Sequence, residues 1–403
     1  MNRGTRGGGG GSFPVPLGSK APRRRQVSPR KTPLYAAHEA ASARIIDFHG
    51  WAMPVQYAGI LEETRCVRTA GGLFDLCHMG RLEIRGPDRE ALVDHVFSGA
   101  FQKLKVGRAK YGFLLNEDGY PIDDVLVYRD TDVVHVVINA TGRPADGPWV
   151  EARREAMGFD AEVKDVSDDQ AMVALQGKIS EHVLQPLCGA DLSAVRYYGF
   201  TNAPVLGHDT LLARTGYTGE DGFELFFDPA HAEEVWHALA ASGASLGIQP
   251  IGLGARDLLR LEAGMPLYGQ EMDLTIDPLE ADLAFGVDAS KTATVGIAAL
   301  LARSGEAPAR EAVSLQAAGG RVPRTGCRVL RGDEEVGVVT SGGASPTIEK
   351  KIARALVRAG TAPVGSTLGV EIRGKAYPME VVPAPFYRRP REKKPAAAAP
   401  PAP

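Results

Sequence analysis

Tyr111-Gly112-Phe113-Leu114-Leu115-Asn116-Glu117-Asp118-Gly119-Tyr120-Pro121-Ile122-Asp123-Asp124-Val125-Leu126-Val127-Tyr128 reads as two strands around a turn. Residues 111–115 and 124–128 are rich in aromatic and aliphatic side chains, and Asn116-Glu117-Asp118-Gly119 supplies turn chemistry between them. Outward from there, residues 133–138 read as a further strand, and residues 82–85 alternate as a half-buried strand does. Residues 88–97 carry helical spacing, with Leu92, Val93, Val96 and Phe97 as the apolar face. Residues 172–175 form a short strand, and residues 230–239 and 253–261 have helical spacing. Beyond about residue 310 the helical signal fades. Short strands at 328–330, 336–339, 353–357 and 368–372 follow, each bounded by Gly or Pro. The expected class is α+β, with an all-β C-terminal part.

The chain has 403 residues, enough for two or three domains, and its 44% hydrophobic content can bury a sizeable core. The formal net charge of -3 argues against nucleic-acid binding, which calls for a basic domain or stripe. No apolar run reaches the roughly 18 residues of a membrane span, and no apolar secretory segment is visible. Cys66, Cys77, Cys188 and Cys327 are too scattered for a disulfide framework or a zinc site, so reduced thiols and no metal are expected. Residues 1–31 read as a disordered basic Gly/Pro-rich tail, with the five-glycine run Gly7 to Gly11 and the cluster Arg23 to Arg25. A transit peptide is the alternative for this stretch, since it is Arg-rich and lacks acids. A cytoplasmic location is therefore expected, with the mitochondrial matrix as alternative. Residues 389–403 read as a Lys/Pro/Ala tail, and a domain boundary is placed in the polar stretch 304–310. This leaves residues 32–303 and 311–388 as the two folded regions.

Three stretches hold possible chemistry. Asp123-Asp124 places two carboxylates side by side, but strand geometry sends them to opposite faces, so one alone can face a given pocket. If Asp124 points inward with Leu126 and Tyr128, burial raises its pKa and demands a hydrogen-bond donor. The plainer reading is a strand-initiating turn with both acids exposed, and spacing alone favours it. Arg214-Thr215-Gly216-Tyr217-Thr218-Gly219-Glu220-Asp221-Gly222-Phe223-Glu224 packs glycines, an aromatic ring and acids into one loop. It suits either close approach to a ligand or a simple β-hairpin turn. Arg256 and Arg260 lie four apart on one helix, where a guanidinium could fork onto a ligand carboxylate or form a surface ion pair. No dinucleotide fingerprint, P-loop, zinc-protease or serine-hydrolase motif is present, and the histidines do not cluster as metal ligands.

Read with Lys31-Thr32-Pro33-Leu34-Tyr35, Asp47-Phe48-His49-Gly50-Trp51-Ala52-Met53-Pro54 and Phe74-Asp75-Leu76-Cys77-His78-Met79-Gly80, these stretches form an ordered set. The set continues through Arg260-Leu261-Glu262-Ala263-Gly264, Val339-Thr340-Ser341-Gly342 and Ser345-Pro346-Thr347, and ends at Pro385-Phe386-Tyr387. Together they resemble the glycine cleavage T-protein (aminomethyltransferase) family over nearly everything except the tails. The resemblance implies a three-domain cloverleaf: two intertwined subdomains in residues 32–303 and a C-terminal antiparallel β-barrel-like domain in residues 311–388.

It also implies transfer of the methylene of an aminomethyl group, borne by a lipoyl-bearing H-type carrier protein, to tetrahydrofolate with release of ammonia. Carried over by position, Asp124 is the catalytic residue, and Tyr111, Asn139, Tyr217, Glu224, Arg256 and Tyr268 surround the folate. The sequence departs from the family pattern at Cys77, where Ser is usual, and at Thr141-Gly142-Arg143-Pro144-Ala145-Asp146. It also departs at Val287-Asp288-Ala289-Ser290-Lys291, which lacks the usual aromatic and Gly-Arg features. Two alternatives share the resemblance: a folate-binding relative acting in iron–sulfur cluster maturation, and a non-catalytic folate-binding protein. The first calls for a cysteine before Gly269-Gln270-Glu271, and Met265-Pro266-Leu267-Tyr268 has none. A flavin-dependent demethylase would need a dinucleotide-binding domain that the chain lacks.

Overall fold

In the computed structural model, which describes residues 28–304 and 308–390, the opening stretch folds as two antiparallel strands, Arg108–Leu115 and Pro121–Arg129. Gly119 closes their turn at φ +79°, a left-handed conformation that a residue without Cβ enters at no steric cost. Alternation along Pro121–Arg129 buries Asp123, Val125 and Val127 on one face and turns Asp124 and Leu126 to the other. The pair belongs to a five-stranded sheet in the order Arg108–Leu115, Pro121–Arg129, Val134–Ile138, Gly80–Arg85, Glu162–Asp165. Helices Arg89–Val96 and Asp146–Met157 cover the Asp123 face with Leu92, Val93, Val96 and Val150.

The opposite face packs on a second sheet. It runs Phe200–Val205, His208–Ala213, Gly222–Phe227, Ala171–Gln176, Gly72–Asp75 and Gln249–Pro250. Between the two sheets lie Phe74, Tyr128, Val137, Met172 and Phe226, joined by Ala255 and Leu259 of the helix Leu253–Glu262. The outer face of the second sheet is covered by Ala232–Gly243 and Ser180–Leu184. A small three-stranded sheet, Arg30–Lys31, Trp51–Gln56 and Arg44–Phe48, completes the N-terminal part. Arg30 and Lys31 had been assigned to the tail by composition. They instead pair in parallel with Trp51 and Ala52, and the Arg30 guanidinium grips Asp168 at 2.8 and 2.9 Å. Residues 1–27 of the expected N-terminal tail, the C-terminal tail beyond Pro390, and residues 305–307 at the expected boundary lie outside the described residues.

The C-terminal strands close into a barrel in the order Arg310–Ala317, Lys350–Arg358, Glu334–Ser345, Arg328–Arg331, Thr367–Ile372, Lys375–Val382. Every neighbouring pair is antiparallel, and closure returns Lys375–Val382 to Arg310–Ala317. Two of these strands, the first and the last, escaped the sequence reading. The α+β expectation with an antiparallel C-terminal barrel holds. All four cysteines are free, and among the described residues no helix is long and apolar enough to cross a membrane.

The helix Leu253–Glu262 joins these parts. Its start is pressed so closely on the Trp51–Gln56 strand that a Cβ at Gly252 would sit 2.4 Å from the Val55 carbonyl oxygen. Arg260, fully buried, donates to Asp257 (2.9 Å), to Glu271 (2.8 Å) and to the barrel hydroxyl of Ser341 (2.7 Å). The surface ion pair, one of the two roles open to a helical arginine here, is thus replaced by a buried one. Glu262 receives Arg68 at 2.9 Å and the barrel hydroxyls of Ser345 and Thr347 at 2.5 and 2.8 Å. Removing one partner of a buried pair leaves the other charge uncompensated. Arg260→Ala should therefore lower unfolding stability by about 3–5 kcal/mol in chemical denaturation. A loss below about 1 kcal/mol, the range of an exposed pair, would contradict this account of the helix.

Candidate active site

The two sheets, the helix Leu253–Glu262 and the loop after it enclose a cavity of about 370 Å³. This falls in the size range of small-ligand sites. All seven residues singled out for the site line it: Tyr111, Asp124, Asn139, Tyr217, Glu224, Arg256 and Tyr268. They come from separate segments, and the fold brings every one of them to the same wall system. Asp124 enters from the face of Pro121–Arg129 opposite Asp123, as alternation requires. The reading of both acids as exposed is corrected: Asp123 is fully buried and Asp124 lies in the cavity.

Asp124 is held from two sides. Tyr111 donates its hydroxyl to Oδ2 at 3.1 Å, and the Asn139 amide donates to Oδ1 at 2.8 Å. Burial, and next the neighbouring Asp123 charge, push the Asp124 carboxyl up to about 7, against the pull of these two donors. A carboxyl poised there can accept or release a proton at neutral pH.

At the other end of the cavity Glu224 accepts from Thr215 (2.5 Å) and Tyr128 (3.2 Å), both on Oε2. Burial raises its pKa, opposed by Thr215, then by the positive charge of Arg256, then by Tyr128. Arg256 lies over the Tyr217 ring at 4.7 Å, and the Tyr217 hydroxyl donates to the Pro266 carbonyl. Thr215, Tyr217 and Glu224 reach their places because the glycine-rich loop does form the turn between the paired strands His208–Ala213 and Gly222–Phe227. Hairpin and site residues therefore coincide. Tyr268 donates its hydroxyl to the Pro121 carbonyl at 3.2 Å, tying the loop after the helix to the strand of the acids.

Sequence reasoning missed the apolar part of the cavity. Leu76, Met79, Leu126, Val137 and Met172 line it, with Tyr198 and Phe285. Phe285 stacks on Tyr111 with ring centres 5.5 Å apart and stays 64% exposed, so it forms part of the rim. Leu76 and Met79 stand in one of the quoted motifs, and strand parity already puts Leu126 on the face of Asp124; the others carry no signal beyond hydrophobicity. Among the described residues, one His/Cys/Asp/Glu group lies within metal-ligand reach, His208 with His231 and Glu234. Those two rings stack 3.6 Å apart at 11°, so their in-plane lone pairs run parallel instead of converging on one ion.

Residues 34–291 match the GCVT N-terminal domain, and residues 310–388 match the glycine cleavage T-protein C-terminal barrel domain. The chain belongs to the glycine cleavage T-protein family. An aminomethyltransferase of Saccharopolyspora erythraea is 46% identical over 364 residues, covering 90% of this chain and 99% of that protein. An aminomethyltransferase of Geobacillus kaustophilus is 43% identical over 363 residues, 89% of this chain and 99% of the relative. The crystal structure of the glycine cleavage system aminomethyltransferase T from Bartonella henselae superposes with a TM-score of 0.84 at 31% identity. That match covers 90% of this chain and 99% of the other. The chain is accordingly an enzyme of the aminomethyltransferase type.

The shifted acid gives a stability test. The folded carboxyl of Asp124 titrates near 7, above the ordinary value of about 3.9. In that interval the folded state binds more protons than the unfolded one, so the group's contribution is complete below about pH 4 and is lost as pH rises to about 7. Asp124→Asn should therefore gain stability relative to wild type across this interval. The gain should level off above about pH 7 at roughly 1–3 kcal/mol, reduced by the solvent in the cavity. Parallel denaturation curves at acidic and alkaline pH measure it, and a difference that does not change with pH would show that Asp124 titrates normally.

Proposed function

We propose that this chain transfers the methylene of a lipoyl-bound aminomethyl group to tetrahydrofolate, releasing ammonia and a dihydrolipoyl thiol. The observation that carries the reading is the Asp124 carboxyl, the one of the adjacent acid pair that faces the cavity, raised toward neutrality and held by Tyr111 and Asn139. In balanced form, the carbon loses its bonds to sulfur and to the amino nitrogen and gains bonds to N5 and N10 of the folate. The two protons shed by those nitrogens end on the thiol and on ammonia. Asp124 is suited to take the N10 proton and return one to a leaving group. Its ionised form also stabilises the iminium cation that develops as ammonia leaves.

The remaining lining supports a folate as acceptor substrate. A flat pterin fits against Leu126, Val137 and Met172, while Glu224, an acceptor when ionised, suits the pterin's ring donors. Its two protein bonds fall on Oε2, which leaves Oε1 for a ligand among the described contacts. Arg256 balances that carboxylate, and the exposed ring of Phe285 offers an apolar rim to an incoming lipoyl arm. The carrier would be the H-type protein that bears this arm. The bacterial relatives support a cytoplasmic setting for the reaction.

A transfer assay with aminomethylated carrier and tetrahydrofolate, following methylenetetrahydrofolate and ammonia, tests the proposal. Asp124→Asn should lower kcat at least about tenfold, or roughly 1.4 kcal/mol of barrier, with folate binding retained. A folded wild type that binds folate but transfers nothing would sink the reading. Glu224→Gln removes a charged acceptor and should weaken folate binding about tenfold or more, consistent with about 1.5–3 kcal/mol for such bonds. Calorimetric titration with folate measures it, and unchanged affinity would remove Glu224 from the pterin site.

A further inference from the structure

Behind the cavity wall lies a second acidic arrangement that the reaction as described leaves unused. Asp123 is fully buried on the back of the strand that presents Asp124, and Asp146 is 1% exposed in the first turn of the helix Asp146–Met157. Both carboxyls lie against Gly142. A Cβ on that glycine would sit 2.1 Å from Asp146 Oδ2 and 2.8 Å from Asp123 Oδ2, so the two oxygens share one small space. Buried Asp146 Oδ2 finds no donor among the described residues when both groups are written as carboxylates. Two unprotonated carboxylates cannot bond to one another, whereas an acid and a carboxylate can.

The side of Asp123 toward the cavity is occupied by Asn139. Its backbone N–H donates to Asp123 Oδ2 at 2.8 Å, and its side-chain amide donates to Asp123 Oδ1 at 2.7 Å and to Asp124 Oδ1 at 2.8 Å. Both hydrogens of the amide are thus spent, one on each acid of the pair. Among the described residues, the other titratable neighbours are Tyr111 and Tyr217 on Asp124, and Tyr268 with Asp273 on the loop after the helix Leu253–Glu262. None of these tyrosines supplies a cation, so a proton is the available way to neutralise one of the back-to-back carboxyls.

We propose that Asp123 and Asp146 hold one proton between them as a buried acid–carboxylate pair, and that this pair, through Asn139, positions Asp124 for its proton transfers in the cavity. Asp123 and Asp146 are positioning residues in this scheme and touch no substrate. The inference rests on the proposed role of Asp124. Burial raises both groups: Asp123, pushed further by the Asp146 charge, lies well above the ordinary range, and Asp146 rises to about 6 against the pull of a hydrogen bond with Asp123.

Infrared difference spectroscopy on the intact protein, read at the protonated-carboxyl stretch, tests the pair independently of turnover. In Asp124→Asn combined with Glu224→Gln, where neither cavity acid can contribute, a buried carboxylic acid band should persist at neutral pH. It should vanish when Asp146→Asn is added, because an amide then donates in place of the proton. Absence of the band in the double variant overturns the pair, even if the transfer assay succeeds. Kinetics test the positioning role. Asp146→Ala should lower kcat about tenfold and shift the pH midpoint of kcat, with KM for folate changed less than twofold. Asp146→Asn, which keeps a neutral donor, should recover most of that loss. An unaltered pH midpoint in a folded Asp146→Ala enzyme overturns the coupling to Asp124. An inactive wild type would instead count against the transfer reaction, and the infrared result would still decide the pair.

Discussion

The guanidinium of Arg260 carries its charge where no water reaches it, and much of the molecule is arranged around that fact. A buried charge is tolerable only with partners in good geometry. Its partners come from its own helix (Asp257), from the loop that follows (Glu271) and from the barrel (Ser341). Glu271 in turn accepts from the barrel hydroxyl of Thr340 at 2.7 Å. Two residues further along the helix, Glu262 gathers Arg68 and two more barrel hydroxyls. The barrel is therefore joined to the rest by directional polar contacts as well as apolar area. Such contacts fix angle and register, where hydrophobic burial alone is tolerant of sliding. One turn before Arg260, Arg256 sits on the cavity wall, so the same ion-pair network that anchors the helix also sets the height at which a cation enters the site.

How much of this was legible in the sequence follows from what each feature depends on. Alternation along residues 121–129 sends Asp123 and Asp124 to opposite faces in any strand, and that much could be read without a structure. Which face was cavity and which was core could not, because it depends on helix Asp146–Met157 packing behind the sheet. Spacing alone thus favoured exposed acids, while resemblance pointed to a site. The seven polar and aromatic site residues were reached through the family resemblance, carried over by position. Tyr198, Val137 and Met172 were not, since an apolar side chain facing a ligand looks the same in sequence as one facing the core.

The two overlooked barrel strands have local causes. Lys375–Val382 contains Pro378, which lacks an N–H and reads against a strand, yet it stands opposite Gly369 on a pairing that tolerates it. Arg310–Ala317 begins with charged residues, and its inward pair, Val313 and Leu315, is too short a signal until closure against Lys350–Arg358 and Lys375–Val382 supplies the partners. Closure is a property of the set of strands and not of either segment. At the other end, Arg30 and Lys31 sit in a compositionally tail-like stretch. Their order comes from Asp168 and from the edge of Trp51–Gln56, which are distant in the chain.

The cavity is electrostatically lopsided, and this bears on the direction of the chemistry. At one end Glu224 faces Arg256, so a negative charge there is balanced within the protein. At the other end Asp124 is met by a phenol and an amide, neutral donors that steady a carboxylate without cancelling its charge. A carbon that becomes cationic as it leaves nitrogen is therefore favoured at the Asp124 end over the Glu224 end. That preference falls as charge builds on Asp123 beside Asp124, because repulsion favours the protonated form of Asp124. The proton shared with Asp146 keeps that charge partial, and burial together with this partial charge holds Asp124 where it can alternate between acid and carboxylate at neutral pH. The proposed transfer needs that alternation twice, once to receive a proton and once to return it.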